Sequence, residues 1–181
     1  VINKQGLQFI GSGADNTKII SSDMASVVMG IQHSADIVVA GMLLTHTEPN
    51  SGGCEYGVIL LNGNRNITIR DNTLRGSGLW GIDSDSTRGA LIITDNIIEE
   101  NTRDGVIFRG AHPELKHLTF TRNIVRQNLG YAFLCDQGCS FSDGFELTAS
   151  DNQLQANQKG VFSPGFADDF MVPMKKSWGI D

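Results

Sequence analysis

A repeat constrains this chain more than any other feature. Asn66-Ile67-Thr68-Ile69-Arg70-Asp71-Asn72 recurs as Ala90-Leu91-Ile92-Ile93-Thr94-Asp95-Asn96, as His117-Leu118-Thr119-Phe120-Thr121-Arg122-Asn123 and as Glu146-Leu147-Thr148-Ala149-Ser150-Asp151-Asn152. Each copy has an apolar residue two places after its Asn (Leu74, Ile98, Val125, Leu154), then Ser77, Asn101, Asn128 or Asn157 three places further on. A Gly or Ala and another apolar run complete the unit. Two degenerate copies precede these, so the first apolar anchors are Leu7, Ile37, Ile67, Leu91, Leu118 and Leu147, spaced by 30, 30, 24, 27 and 29 residues. The apolar positions alternate with period two, as Ile67 and Ile69 do against Thr68 and Arg70, which is the period of a strand. No unit has room for a helix, which excludes leucine-rich, ankyrin and tetratricopeptide repeats.

Three short strands per unit with loops of uneven length specify an all-β fold, a parallel β-helix of about six coils. Equivalent positions then stack ~4.8 Å apart. Asn72, Asn96, Asn123 and Asn152 should form an amide ladder at one corner, and Asn101, Asn128 and Asn157, with Ser77 above them, a second. These Asn are expected to be structural and to accept the left-handed backbone of a corner. The repeat occupies residues 1–163, and residues 164–181 abandon it. That tail, rich in Phe, Met and Pro, should cap the last coil or strap the outward apolar column Ile59, Ile107, Leu134 and Phe162.

Composition narrows the function. The 181 residues suffice for one domain, and 40% hydrophobic residues is ordinary for a globular protein. No apolar run approaches the ~20 residues of a membrane span, so no membrane insertion is expected. A net charge of −6 argues against nucleic acid as a partner. All eight Arg lie between Arg65 and Arg126, so the middle is near neutral and the flanks are acidic. The 21 Gly and 13 Asn agree with many tight turns. No initiator Met, basic segment or signal-like apolar segment opens the chain, so any targeting segment is expected to lie outside it.

The Asp-Asn-x-Leu/Ile-x-x-Asn units, with the opening Gly6-Leu7-Gln8-Phe9-Ile10-Gly11-Ser12-Gly13, resemble the pectate-lyase-like superfamily of right-handed parallel β-helices over roughly residues 5–163. The resemblance implies a polysaccharide or other glycan as partner, and an extracellular or cell-surface location. It leaves two function classes: a lyase, C5-epimerase or hydrolase acting on an acidic polysaccharide, or a noncatalytic glycan-binding or structural β-helix such as a tailspike segment. The Asn-Thr-Asp, Asp-Asp, Gly-His-Gly and Arg-Ile-Lys motifs of the polygalacturonase type are missing. So is the Asp-Pro-His element of mannuronan epimerases; Ala111-His112-Pro113 does not match it. Fold does not choose between the classes.

Stacking the coils assembles candidate sites. On the strand after the Gly, Val58, Ile82, Val106, Phe133 and Val161 should face inward, with Leu60, Ser84, Phe108, Cys135 and Ser163 two places on. Leu61, Asp85, Arg109, Asp136 and Pro164 should then face outward, with Arg109 between Asp85 and Asp136, and Asp83 on the same face. This is a polar groove able to take a uronate carboxylate on Arg109, or an exposed ion ladder of little worth. Asp83 and Asp85 fall near the wider carboxyl separation of glycosidases, ~6.5–9.5 Å. The corner before that strand, Tyr56, Trp80, Asp104, Tyr131 and Lys159, offers aromatic and polar groups for sugar binding, or simply corner packing. Arg75–Glu99–Arg126 and Asp95–Arg122–Asp151 read as structural inter-coil pairs.

The insertions 45–55 and 110–116 carry His46, Glu48 and His112, and His117 follows the second. None has metal-ligand spacing, so neither a metal nor another cofactor is expected. Cys135 reads as a buried thiol, although a Cys135–Cys139 disulfide is conceivable if the loop folds back; Cys54, about three coils away, is too far to join it. Asn66-Ile67-Thr68 matches a glycosylation sequon but opens a repeat strand. Nothing in Val1–Gln5 caps the first coil, so a partner chain, an oligomeric contact or an additional domain is expected to cover it.

Overall fold

A computed structural model describes residues 1–47, 56–76, 79–166 and 168–176. The insertion residues Glu48 and Cys54, Ser77 of the second ladder and Trp178 of the tail lie outside the described residues.

The strands wind in turn through three parallel sheets. The first contains β1 (Gln8–Ile10), β4 (Ala35–Ala40), β7 (Arg65–Arg70), β10 (Arg88–Thr94), β13 (Leu115–Thr121) and β16 (Glu146–Ser150). The second contains β2 (Lys18–Ser21), β5 (Leu43–His46), β8 (Thr73–Arg75), β11 (Ile97–Glu99), β14 (Ile124–Arg126) and β17 (Gln153–Gln155). The third contains β3 (Met29–Gln32), β6 (Ile59–Asn62), β9 (Ile82–Asp85), β12 (Val106–His112), β15 (Tyr131–Phe141) and β18 (Gly160–Phe162). This is a right-handed parallel β-helix of about five turns, one fewer than the six expected from the anchors.

The anchors stack as the repeat requires. Ile37, Ile67, Leu91, Leu118 and Leu147 are in register across the first sheet, and Leu44, Leu74, Ile98, Val125 and Leu154 across the second. Ile67 and Ile69 are fully buried while Thr68 and Arg70 face out, so each strand lends alternate side chains to one core. Before β1 the chain already stacks on the next coil, through bridges from Ile2 to Gln32 and from Gln5 to Ala35. Ile2, Ile10 and Ile20 are exposed at this end.

Both amide ladders form. The Asn96 backbone N–H donates to Asn123 Oδ1 (3.0 Å), and its side-chain amide donates to Asn123 Oδ1 (3.1 Å) and to the Ile69 carbonyl (2.9 Å). Asn72 makes the same bonds to Asn96, and Asn123 to Asn152. In the second ladder Asn101 donates to Asn128 and Asn128 to Asn157. The left-handed residue at each corner is the one before the Asn: Asp71, Asp95, Arg122 and Asp151 have φ of 57°, 58°, 54° and 56°. The Asn thus escapes the strained conformation expected of it, and its side chain is free to bond along the stack.

Register corrects one column. Ile59 and Leu61, not Val58 and Leu60, pair with Ile82 and Ser84 and point inward; Leu60 pairs with Asp83. Val58 takes the corner place opposite Gly81, so that its N–H donates to the Trp80 carbonyl and β6 begins one residue later than the Gly57-Val58 pattern implies. Likewise Phe162, not Val161, pairs with Phe133. The expected outward apolar column therefore loses Ile59 and Phe162 to the interior and keeps Ile107 and Leu134.

After the last coil comes α1 (Asp168–Lys176). Its Phe170 is fully buried, with its ring centroid 4.6 Å from Phe166, 5.4 Å from Phe141, 5.7 Å from Phe108 and 5.9 Å from Phe133. Met174 is buried in the same core.

Candidate functional site

The outward face of the third sheet carries the candidate site. Asp83 and Asp85 alternate outward on β9, Arg109 on β12, and Leu134 and Asp136 on β15. Arg109 is in register with Asp85 and with Asp136, as the coil spacing implies. Its ion pairs go elsewhere, however. Nε donates to both oxygens of Asp83 (2.8 and 3.0 Å) and Nη1 to Asp136 (3.1 Å). The guanidinium carbon lies 4.2 Å from the centroid of the Trp80 ring, a cation–π contact at the start of β9 that draws it towards Asp83 and away from Asp85. Asp85 instead accepts a hydrogen bond from the Ser86 hydroxyl.

Burial separates these carboxylates. The Asp83 side chain is 8% exposed and that of Asp136 is 36% exposed. Burial pushes the Asp83 carboxyl above the usual range, the hydrogen bond and charge of Arg109 pull it back, and Asp85 and Asp136 push it up again. For Arg109, burial acts to lower the pKa, but Asp83, Asp136 and Asp85 together hold it above its ordinary value. The guanidinium is thus committed to the protein. Arg109→Ala would strand a buried Asp83, so its expected cost is about 1–3 kcal/mol in urea unfolding, against the less than ~1 kcal/mol of an exposed pair. A smaller loss would place Asp83 in contact with water.

The corner column is split in the same way. Gly57, not Tyr56, stands opposite Trp80, where a Cβ would collide with the Trp80 carbonyl. Tyr56 is exposed and lines a separate depression with Ala25, Ser26, Val27, Gln32 and Leu60. Asp104 is buried and accepts the Tyr131 backbone N–H at 2.6 Å; a Cβ on Gly130 would collide with its carboxylate. Burial raises the Asp104 pKa, while Tyr131, Lys159, Trp80 and Arg103 act to lower it. Asp104 therefore builds the corner, and Tyr131 faces a cleft of about 470 Å³ lined by Thr102, Arg103, Asp104, Leu129, Gly130, Tyr131, Leu134 and Lys159. Leu134 joins this cleft to the Arg109 cluster, because it is in register with Ile107, itself in register with Asp83, and lies two residues before Asp136 on the same face. Arg103 and Lys159 are exposed at the cleft, and neither is in an ion pair among the described residues.

Sequence reasoning missed Arg103. It lies one place before an aligned corner, and only the pairing of Arg103 with Leu79 and Gly130 across the coils brings it to the cleft.

The histidines are dispersed. His112 is fully buried, its ring 5.5 Å from Phe108 and 5.8 Å from Phe141, and burial lowers its pKa to about 4. His46 is buried with Nε2 2.8 Å from the Ser26 carbonyl oxygen, and the exposed His117 lies 3.1 Å from Glu146. No group of three or more His, Cys, Asp or Glu among the described residues is placed to hold a metal ion. Cys135 and Cys139 form a disulfide, so Cys135 is not the buried thiol that its inward position suggested.

Residues 1–163 match the family model described as periplasmic copper-binding protein (NosD). The chain belongs to the NosD family. No curated protein and no solved structure matches it. Within this NosD-family β-helix, the matched residues comprise all the coils and both halves of the candidate site; α1 lies beyond them.

Proposed function

We propose that this NosD-family chain is a noncatalytic binding protein for an acidic polysaccharide, which lies along the outward face of the third sheet. The observation that carries the reading is the cleft beside β15. There, Arg103 and Lys159 supply two exposed cations that form no ion pair among the described residues, and Tyr131 supplies an aromatic ring beside them. Its volume is within the ~300–1,000 Å³ of small-ligand pockets. An acidic sugar unit offers a carboxylate for the cations and C–H faces for the ring. Recognition of the carboxylate falls to Arg103 and Lys159, since Arg109 already holds two aspartates.

Copper, named in the family's description, does not fit the described residues. Copper sites need converging imidazole, thiolate or thioether groups. Here Cys135 and Cys139, the cysteines among the described residues, bond to each other, and His46 and His112 are each buried in separate surroundings. The proposed binding uses no metal. The disulfide suits an oxidising compartment, which supports the periplasm of the family's description.

Titration calorimetry with uronate oligosaccharides and neutral oligosaccharides of equal length tests the reading. Uronates should bind more tightly. Both Tyr131→Ala and Arg103→Ala should weaken binding at least ~10-fold, about 1.4 kcal/mol, with the melting temperature unchanged. Equal binding of the two sugar classes, or binding indifferent to both substitutions, would overturn it. A second, catalytic reading draws on Asp83, a buried carboxyl with a raised pKa next to Asp85 and Asp136. Cleavage or epimerisation of the bound uronate, lost in Asp83→Asn, would replace the first reading with that one.

A further inference from the structure

The pairing of β12 with β15 contains an irregularity. Arg109 pairs with Asp136 and Ala111 with Ser140, so β15 spends two more residues than β12 over this interval. The surplus forms a bulge at Asp136-Gln137-Gly138, with Gly110 and Gly138 both at positive φ, 61° and 70°. Cys135 and Cys139 flank this bulge, and their disulfide closes it across a Cα separation of 5.4 Å. Both cysteines are 7% exposed. Cys135 is also anchored from the next coil, since its backbone N–H donates to Ser163 Oγ (2.9 Å) and its sulfur lies 3.4 Å from the Gly165 carbonyl oxygen.

We infer that this disulfide is a positioning element for the outward site: it fixes the bulge that holds the Asp136 carboxylate against Arg109, and through Arg109 it sets the stack on Trp80. A cross-link over so short a loop restrains the unfolded chain less than a long-range one. Its effect falls instead on local geometry. A two-residue bulge would otherwise be free to relax, because the ladder is interrupted and surplus residues have no partners. The first residue inside the loop is Asp136, the outer of the two carboxylates that hold Arg109. Bulges re-aim side chains beside functional sites, and here a covalent clamp fixes the new aim.

The inference extends the binding surface proposed above, and Trp80 reports on it without any sugar. The chain has two Trp, so Trp178→Phe leaves Trp80 as the sole indole. In that background we expect the Cys135→Ser/Cys139→Ser pair to shift the Trp80 emission maximum and to raise its accessibility to acrylamide. Dithiothreitol treatment of the oxidised protein, with reduction checked by mass, should give the same shift, so the result does not hang on whether the serine variant folds. Asp136→Asn should reproduce the shift in the oxidised protein, and breaking the disulfide should then add nothing. Far-ultraviolet circular dichroism should be unchanged throughout. An unchanged Trp80 emission after complete reduction would overturn the inference, as would a full additional shift on reducing Asp136→Asn. Loss of the β-sheet spectrum on reduction would also overturn it, by making the disulfide a staple of the whole fold. Uronate affinity is measured separately: a fluorescence response without sugar binding would sink the functional reading and leave the positioning role standing.

Discussion

Phe170→Ala is expected to lower the free energy of unfolding by about 3–5 kcal/mol, the range for truncating a buried Phe. Phe170 is the residue through which α1 enters the solenoid; its ring meets Phe108 and Phe133 of the inward column as well as Phe141, Phe162 and Phe166. Truncation would open a cavity that side chains from three strands, each fixed by sheet hydrogen bonds, are poorly placed to fill. It would also remove the main anchor of a nine-residue helix, too short to persist without packing. Urea unfolding monitored by circular dichroism measures the loss. A cost below about 1 kcal/mol would mean that α1 does not seat on the last coil.

Asn96→Ala is expected to cost about 1–3 kcal/mol, because buried groups lose their hydrogen bonds and one backbone N–H is left without a partner. Asn96 Oδ1 accepts both the backbone and the side-chain N–H of Asn72, and its amide donates to the Ile69 carbonyl and to Asn123. Alanine orphans the Asn72 N–H and removes the side-chain bond to the Ile69 carbonyl. Asn96→Asp should be no better: it retains the acceptor for Asn72 but turns an oxygen towards the Ile69 carbonyl and Asn123 Oδ1. Thermal melts of the three proteins decide the matter, and an alanine variant that melts with the parent would remove the ladder from the list of stabilising features.

The solenoid was legible because it repeats. Period-two alternation in Ile67–Arg70, echoed at each later anchor, fixes which side chains face inward, and the recurring Asn fixes the corner between the first and second sheets. Legibility failed where coil length varies. The one-place displacement of β6 follows from an insertion whose length, counted in residues, does not say how many of them enter the stack. The disulfide is open in the sequence for the same reason: whether Cys139 returns to Cys135 depends on a bulge that linear spacing does not encode. For the site, the alignment of Asp85, Arg109 and Asp136 was readable from register, but the partner of Arg109 was not. That choice depends on the Trp80 ring and on the burial of Asp83, both properties of neighbouring coils. Arg103 was invisible because its place at the cleft depends on the shape of the corner and not on its position in the repeat.

The corner between the first and second sheets has two residues in each coil from β4 onward: Gly41-Met42, Asp71-Asn72, Asp95-Asn96, Arg122-Asn123 and Asp151-Asn152. The segments that lead from the second sheet into the third vary in length among the coils, and the cleft draws on three of them. One edge of the molecule therefore acts as a spine that keeps time for the winding, while the opposite edge is at liberty to vary. Residues can be added or exchanged around Arg103 and Tyr131 without moving any strand out of step, because the phase of every coil is reset at the next Asn. A lineage of such chains can change the lining of this cleft while keeping its frame, and the segments to compare between relatives are 100–105, 127–130 and 156–159.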